Sequence, residues 1–283
     1  MHTFRLATAL AVFAVVGIAL VLAQPSLTPP AGPIDETGRF GTLIELSQET
    51  APGDSDYRFI IQEPGSYILT GDVNVGNDSG ILILTNHVTI DLNGYTLSGS
   101  GEAGVDVLPA EEDIIGVLNG ITVRNGRIIG FRDGIDASDL IQGVGSNSFR
   151  YTNYADLYVD VSRNGLEAEN GQVLRCTVRA QDTGIEGFDI VVRDCVVEML
   201  GNEPSQHGIR AIGSVVDSCA VDMFNSTAEV SEGIEVFDGV VRGSRVRSQT
   251  IGFRLRRSIA EGCVSTSDQN TIGSESATFA SNF

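Results

Sequence analysis

Lysine is absent from this sequence. All 18 basic residues are arginine, against 37 aspartates and glutamates, and the formal net charge is −19. Phosphate groups of nucleic acids and anionic lipids repel a chain this acidic, so the composition argues against both as partners. It also argues against a polyanionic substrate, although solubility in a salty habitat would explain the same charge. The lack of lysine excludes mechanisms that need a lysine base.

Helical periodicity is missing after residue 24. Short apolar stretches are instead separated by Gly, Asn, Asp and Ser, which is typical of strands joined by turns. The sequence has no G-x-S-x-G, H-E-x-x-H or G-x-x-x-x-G-K-[ST] segment. These absences predict an all-β protein whose chemistry no short motif identifies.

One phrase recurs along the chain: a variable residue, a glycine, then Val, Ile, Leu or Phe. Successive glycines lie 19 to 31 residues apart. A self-similar period of this length is typical of a solenoid. The glycines are Gly104, Gly134, Gly165, Gly184, Gly208, Gly233 and Gly252.

A second phrase, V-x-x-(small)-x-V, alternates with the first. Its copies begin at Val123, Val173, Val192, Val216 and Val241. Each coil should therefore contribute to two different sheets, with equivalent strands stacked in parallel about 4.8 Å apart. Parallel crossovers of this kind favour right-handed winding.

Three segments resemble the pectin-lyase-like β-helix superfamily, and within it the bacterial proteins known only as right-handed β-helix repeat proteins. They are residues 65–69 (GSYIL), 88–97 (VTIDLNGYTL) and 121–126 (ITVRNG). The resemblance implies a single-stranded right-handed parallel β-helix of roughly eight to ten coils. These are coil-building residues, so they indicate the fold and not the chemistry.

The domain boundaries follow from composition. Residues 1–23 are typical of a signal peptide, with an apolar run over 6–23, and a retained membrane anchor is the alternative. A proline-rich linker over 24–36, an N-terminal cap over 37–64 and the β-helix over 65–283 should follow. Longer spacing predicts loops at 108–117 and 141–154. The mature protein should be secreted, periplasmic or at the cell surface.

Four cysteines in an exported chain first suggest disulfides. Here, however, Cys176, Cys195, Cys219 and Cys263 all hold the small position of the second phrase, which should point inward. Cysteine is a good buried filler, so we expect buried free thiols. One bridge between column neighbours is the alternative. There is no C-x-x-C segment, and no metal site is predicted.

Strand alternation places the second residue after each glycine on the outer face. This position holds Asp106, Asp136, Glu167, Glu186, Arg210, Glu235 and Arg254, which we call the charged row. Two residues further on, Phe188, Ile212 and Phe237 form an apolar strip. Carboxylates, guanidinium groups and aromatic rings are side chains that hold sugars. The tentative substrate site is therefore Glu186, Phe188, Arg210, Ile212, Glu235, Phe237 and Arg254. The competing interpretation is a cross-coil ion-pair ladder with only a structural role.

The sequence can be compared with the catalytic motifs of enzymes in the pectin-lyase-like superfamily. Residues 207–214 (HGIRAIGS) resemble the H-G-I-x-x-G-S segment of polygalacturonases, but the chain has no Asp-Asp pair, and His207 is interpreted as a surface turn residue. The D-P-H-E motif of mannuronan epimerases is absent as well. A mechanism that uses Arg210 or Arg254 as the base remains an alternative. It would need a Ca²⁺ ion held by Glu186 and Glu235, although no motif supports such a site.

The sequence therefore predicts an exported, non-catalytic β-helix that binds a carbohydrate or serves as a cell-surface module, with no cofactor. The alternative is a small polysaccharide lyase or glycoside hydrolase with a diverged site. No catalytic residue is assigned.

Overall fold

The computed structural model describes residues 42–108, 118–137, 149–201, 203–223, 230–266, 269–272 and 278–280. They fold as β-strands, with no helix among them. None of them therefore forms a helix with the length and apolarity needed to cross a bilayer. The predicted signal peptide and linker lie outside the described residues.

One sheet, here called sheet B, crosses each coil once. Its ten strands all run parallel to their neighbours. They are β2 (Tyr57–Ile61), β5 (Ser79–Ile83), β8 (Ala103–Val107), β10 (Asp133–Asp136), β12 (Asn164–Glu169), β15 (Thr183–Phe188), β18 (Ser205–Ile212), β21 (Val230–Phe237), β24 (Ile251–Arg256) and β27 (Gln269–Ile272).

The other sheet, sheet A, has eighteen strands and is also parallel. They are β1 (Leu43–Glu45), β3 (Gly65–Ile68), β4 (Val73–Asn74), β6 (Val88–Asp91), β7 (Thr96–Ser98), β9 (Leu118–Ile129), β11 (Phe149–Asp160), β13 (Gln172–Leu174), β14 (Thr177–Ala180), β16 (Val191–Arg193), β17 (Val196–Met199), β19 (Val215–Asp217), β20 (Ala220–Asp222), β22 (Val240–Arg242), β23 (Arg245–Arg247), β25 (Ile259–Glu261), β26 (Val264–Thr266) and β28 (Thr278–Ala280).

The two sequence phrases form the two sheets in register. In sheet B the aliphatic residue after each glycine pairs with its equivalent, as in Ile185 with Ile209 and Ile209 with Ile234. In sheet A the first valine of each second phrase does the same, as in Val173 with Val192. The predicted fold class, an all-β right-handed parallel β-helix, is confirmed.

The copies of the second phrase that begin at Val173, Val192, Val216 and Val241 each form two strands and not one, as the sequence suggested, whereas the copy at Val123 lies within the single strand β9. The residue before the small position takes a left-handed backbone conformation, with φ of 52° at Arg175, 54° at Asp194 and 55° at Ser218. This bend ends β13, β16 and β19 and lets the chain turn into β14, β17 and β20. Each of these coils therefore crosses sheet A twice.

Paired strands occur in the predicted cap and in part of one predicted loop. Within the predicted cap, β1 pairs with β3 and β2 pairs with β5, both in parallel. Strand β11 begins inside the predicted loop 141–154 and pairs with β9 over most of its length. The remainder of that loop and most of the loop at 108–117 lie outside the described residues.

The core lies between the sheets, and the cysteine column faces it. Cys176, Cys195, Cys219 and Cys263 are each at most 3% exposed, and all four are free thiols. The prediction of buried free thiols is therefore confirmed. In the same column Ser244 donates a hydrogen bond to the Arg242 carbonyl, so a hydroxyl is tolerated there because the backbone satisfies it.

The buried column predicts a specific thiol titration. Native protein should react slowly with Ellman's reagent, because all four sulfurs are shielded from solvent. Denatured, unreduced protein should release four thiols per chain. Release of two or none would show that neighbouring cysteines in the column are bridged in the purified protein.

Candidate functional site

The outer face of sheet B carries the charged row in register. Asp106 pairs with Asp136, Glu167 with Glu186, Glu186 with Arg210, Arg210 with Glu235, and Glu235 with Arg254, each on neighbouring strands. The predicted arrangement of the row along one face is therefore observed.

A further row, on the residue before each glycine, shares this face. In a regular strand, residues three apart point to opposite sides of the sheet. Arg210 follows His207 by three residues and pairs with Glu235 on the next strand. Yet His207 Nδ1 also lies 3.5 Å from an oxygen of Glu235. The registered pairs pass from His207–Glu232 directly to Ile209–Ile234, leaving Gly208 unpaired in this register. The irregularity at Gly208 places His207 on the same outer face as Arg210, while Ile209 stays in the core.

Residues of both rows line a groove of about 440 Å³ that runs from β10 to β18. The lining groups can nearly all form hydrogen bonds. They are Asp133, Asp136, Arg163, Asn164, Glu167, Asp182, Thr183, Glu186, Ser205, His207 and Arg210.

The half of the face nearer the N-terminus is acidic. Burial, together with the neighbouring carboxylate of Asp136, raises the pKa of Glu167 to about 9, and the two carboxyl groups share a hydrogen bond. Burial likewise raises the pKa of Asp106 to about 6, although its hydrogen bond from the Tyr57 hydroxyl acts in the opposite sense. Glu167 therefore holds a proton at neutral pH and donates it to Asp136.

The other half combines carboxylates with cations. Arg210 donates from Nη1 to Glu186 Oε1 at 3.0 Å, and its Nε lies 3.3 Å from Glu235 Oε2. Arg254 Nη1 contacts Glu232 Oε1 closely and lies 3.7 Å from Glu235 Oε1. Glu235 thus lies within ion-pair distance of both guanidinium groups, and Glu232 contacts Arg254.

His207 lies between the same two glutamates. Its Nδ1 is 3.5 Å from Oε2 of Glu232 and 3.5 Å from Oε2 of Glu235. Burial raises the pKa of Glu235, and the charge of Glu232 adds to that shift. Burial acts on Glu232 in the same sense, but His207 and Arg254 outweigh it and leave the pKa of Glu232 below its usual value. Glu232 therefore loses its proton at a lower pH than Glu235.

The apolar strip lies beside these groups. Phe188 pairs with Ile212 and Ile212 with Phe237 on adjacent strands. The Phe188 residue is 42% exposed. The Arg256 guanidinium stacks over the Phe237 ring, 5.0 Å from its centre. Phe188 is therefore the ring most free to contact a ligand.

The structure brings together all seven predicted site residues on one face, and it adds three that the sequence analysis missed: Asp133, His207 and Glu232. The interpretation of His207 as a surface turn residue is wrong, because His207 lies inside β18 and its side chain is only 19% exposed. The sequence signal that could have identified His207 as a site residue is its position one residue before the repeated glycine. Between Glu186 and Glu235, the pair considered for Ca²⁺, lies the Arg210 side chain.

Comparison with known proteins shows neither a family nor a function for this chain. No protein-family model matches the sequence, and no curated protein does. Among solved structures, a polygalacturonase from Erwinia carotovora ssp. carotovora is similar over 76% of each chain, with 12% identity and a TM-score of 0.27. A likeness of this size bears on neither substrate nor reaction.

Proposed function

We propose that the outer face of sheet B binds a polysaccharide chain. The observation that carries this proposal is the in-register charged row with the apolar strip beside it. Hydrogen-bonding groups can engage sugar hydroxyls, while an exposed ring such as Phe188 can pack against the apolar face of a sugar.

The geometry of the β-helix suits a polymer. Adjacent strands repeat about every 4.8 Å, which is close to the length of one sugar unit. Side chains on paired strands are already ordered, so binding costs little conformational entropy. A linear glycan lying across the strands would meet an equivalent position on every coil.

Charge selects the type of glycan. The groove presents the carboxyl groups of Asp133, Asp136, Glu167 and Glu186, against the cations Arg163 and Arg210. A polyuronate would be repelled by this end of the face, whereas a neutral or amine-bearing polysaccharide would not. We therefore propose a neutral or amine-bearing ligand.

The proposal includes a location outside the cytoplasm. An apolar N-terminal run followed by a proline-rich stretch supports export to the periplasm, the cell surface or the medium. The resemblance to bacterial right-handed β-helix repeat proteins agrees with such a location.

A second candidate function, hydrolysis of a glycosidic bond, is favoured by the shared proton of Glu167 and Asp136. A glycosidase needs one protonated carboxyl group to act as the acid and one ionised carboxylate nearby. Glu167 meets the first requirement, and Glu186 lies opposite it on the next strand. Production of reducing ends that is lost in both Glu167→Gln and Glu186→Gln would show hydrolysis.

Binding is tested with a panel of neutral, amine-bearing and acidic polysaccharides. For the polymer that binds best, Phe188→Ala should weaken affinity about tenfold, because a truncated contact ring costs about 1–2 kcal/mol. Arg210→Ala should weaken it as well. Val196→Ala is the matched control, since Val196 is 48% exposed but lies on sheet A.

The melting temperature of Arg210→Ala distinguishes a binding role of the charged row from a purely structural one. If Arg210→Ala lowers the melting temperature and no polymer in the panel binds, the charged row only supports the fold. Equal losses of affinity in Val196→Ala and Phe188→Ala would show that binding is not located at the apolar strip on sheet B.

A further inference from the structure

We propose that His207, Glu232 and Glu235 form a binding site for a divalent first-row transition metal ion of the zinc class. The three residues offer one nitrogen and two carboxylate oxygens, all within 4.8 Å of one another. This site adjoins the proposed glycan groove, but it does not depend on glycan binding.

The distances between the ligand atoms fit a metal better than they fit hydrogen bonds. His207 Nδ1 is 3.5 Å from each of the two Oε2 atoms, which is too far for a good N–H···O bond. Nitrogen and oxygen ligands at about 2.0–2.2 Å from a tetrahedral zinc ion are themselves roughly 3.4 Å apart. The two distances from His207 Nδ1 thus match those of a zinc site, and the two carboxylate oxygens lie within 4.8 Å of each other.

Two buried atoms point into this space without a partner. Within the described part of the chain, His207 Nδ1 and Glu232 Oε2 are fully buried and make no hydrogen bond. The Glu232 residue is 1% exposed. Buried polar atoms are nearly always hydrogen-bonded, so two unsatisfied ones that face each other call for a ligand.

The arginines act as outer partners of this site. Arg254 contacts Oε1 of both glutamates, and Arg210 Nε lies 3.3 Å from Oε2 of Glu235. Both Oε2 atoms lie 3.5 Å from His207 Nδ1. Carboxylates that bind metals are commonly oriented by such outer hydrogen bonds and ion pairs. Because two guanidinium charges offset the two carboxylates, affinity should be moderate, in the micromolar range and not the nanomolar range.

The ligand set selects the class of metal. Imidazole suits zinc and its neighbours, whereas Ca²⁺ needs six to eight oxygen ligands at about 2.3–2.6 Å. Three protein ligands leave a fourth position open. His207 lines the groove, so a small molecule or a sugar hydroxyl in the groove could reach that position.

The test uses chelator-treated full-length protein and zinc alone. Calorimetry and metal analysis after dialysis should show one zinc ion per wild-type chain. His207→Asn and Glu232→Gln should each lower zinc affinity at least tenfold while circular dichroism stays unchanged. His87→Asn is the matched control, because His87 is exposed and lies outside the site, and its φ of 57° suits asparagine. That variant should bind zinc like the wild type.

Cobalt(II) gives a readout that needs no variant. Wild-type protein should show the visible d–d bands of a four- or five-coordinate nitrogen and oxygen site. A thiolate-to-cobalt charge-transfer band would mean that the cysteine column had bound the metal, and it would overturn the assignment. So would the absence of zinc binding, which would leave His207 as a bridge between the two glutamates, or binding that is equally tight in His207→Asn.

Discussion

Gly208→Ala should destabilise the β-helix severely. A Cβ atom at this position would overlap the Val221 side chain of sheet A and lie 2.5 Å from the Gly233 carbonyl oxygen of the next coil. Neither neighbour is the free end of a flexible side chain, so the coils must separate to admit the methyl group. Overpacking of this kind costs about 3 kcal/mol. We expect a fall in melting temperature of about 10 °C, measured by circular dichroism.

Gly71→Ala is the matched control for this prediction. A Cβ atom at Gly71 would meet nothing within 4 Å, and its backbone is not in the left-handed region. The substitution should therefore leave the melting temperature within about 2 °C of the wild type. Equal losses in the two variants would mean that close packing between coils does not explain the repeated glycine.

The same glycine explains what the sequence could predict and what it could not. The phrase around Gly208 recurs, so the fold and the in-register charged row followed from spacing alone. Regular strand alternation, however, puts His207 and Arg210 on opposite faces. The observed irregularity at Gly208 puts both on the outer face, and it occurs where the chain packs so closely against Val221 and the next coil that no Cβ atom fits. That packing is a tertiary effect, so sequence periodicity did not reveal the cluster of His207, Glu232 and Glu235.

Strand β11 was missed for a related reason. Its copy of the second phrase begins with Tyr154 in place of valine and has Leu157 at the small position. Leu157 fits because it pairs with Gly126 in β9, where no side chain competes for the space. The large Leu157 and the small Gly126 thus compensate each other across neighbouring coils. A repeat pattern that treats every coil alike overlooks such pairs.

Stability should fall as the pH rises from about 5 to 9, and Glu167 should be a major cause. Burial and the Asp136 carboxylate raise the pKa of Glu167 from 4.5 to about 9 in the folded chain. The folded protein therefore keeps a proton that the unfolded chain releases above its ordinary pKa. Unfolding releases this proton in that interval, so higher pH favours the unfolded state, and the effect levels off above pH 9.

Glu167→Gln should remove this part of the pH dependence. The amide cannot ionise, yet it can donate a hydrogen bond to Asp136 as the protonated carboxyl group does. At pH 5 the variant should unfold in urea like the wild type. At pH 9 the free energy of unfolding of the variant should exceed that of the wild type by about 2 kcal/mol. This is less than the whole pKa shift of Glu167 would correspond to, because the groove is open to water.

Glu49→Gln, at an exposed position on a turn, is the control and should follow the wild-type profile at every pH. If Glu167→Gln also runs parallel to the wild type between pH 5 and 9, Glu167 ionises normally in the folded protein. The proton shared with Asp136 would then be absent at neutral pH, and the groove would lack the acid that hydrolysis requires. Glycan binding by the charged row and the apolar strip would not be affected, because that proposal rests on register and exposure and not on the protonation of Glu167.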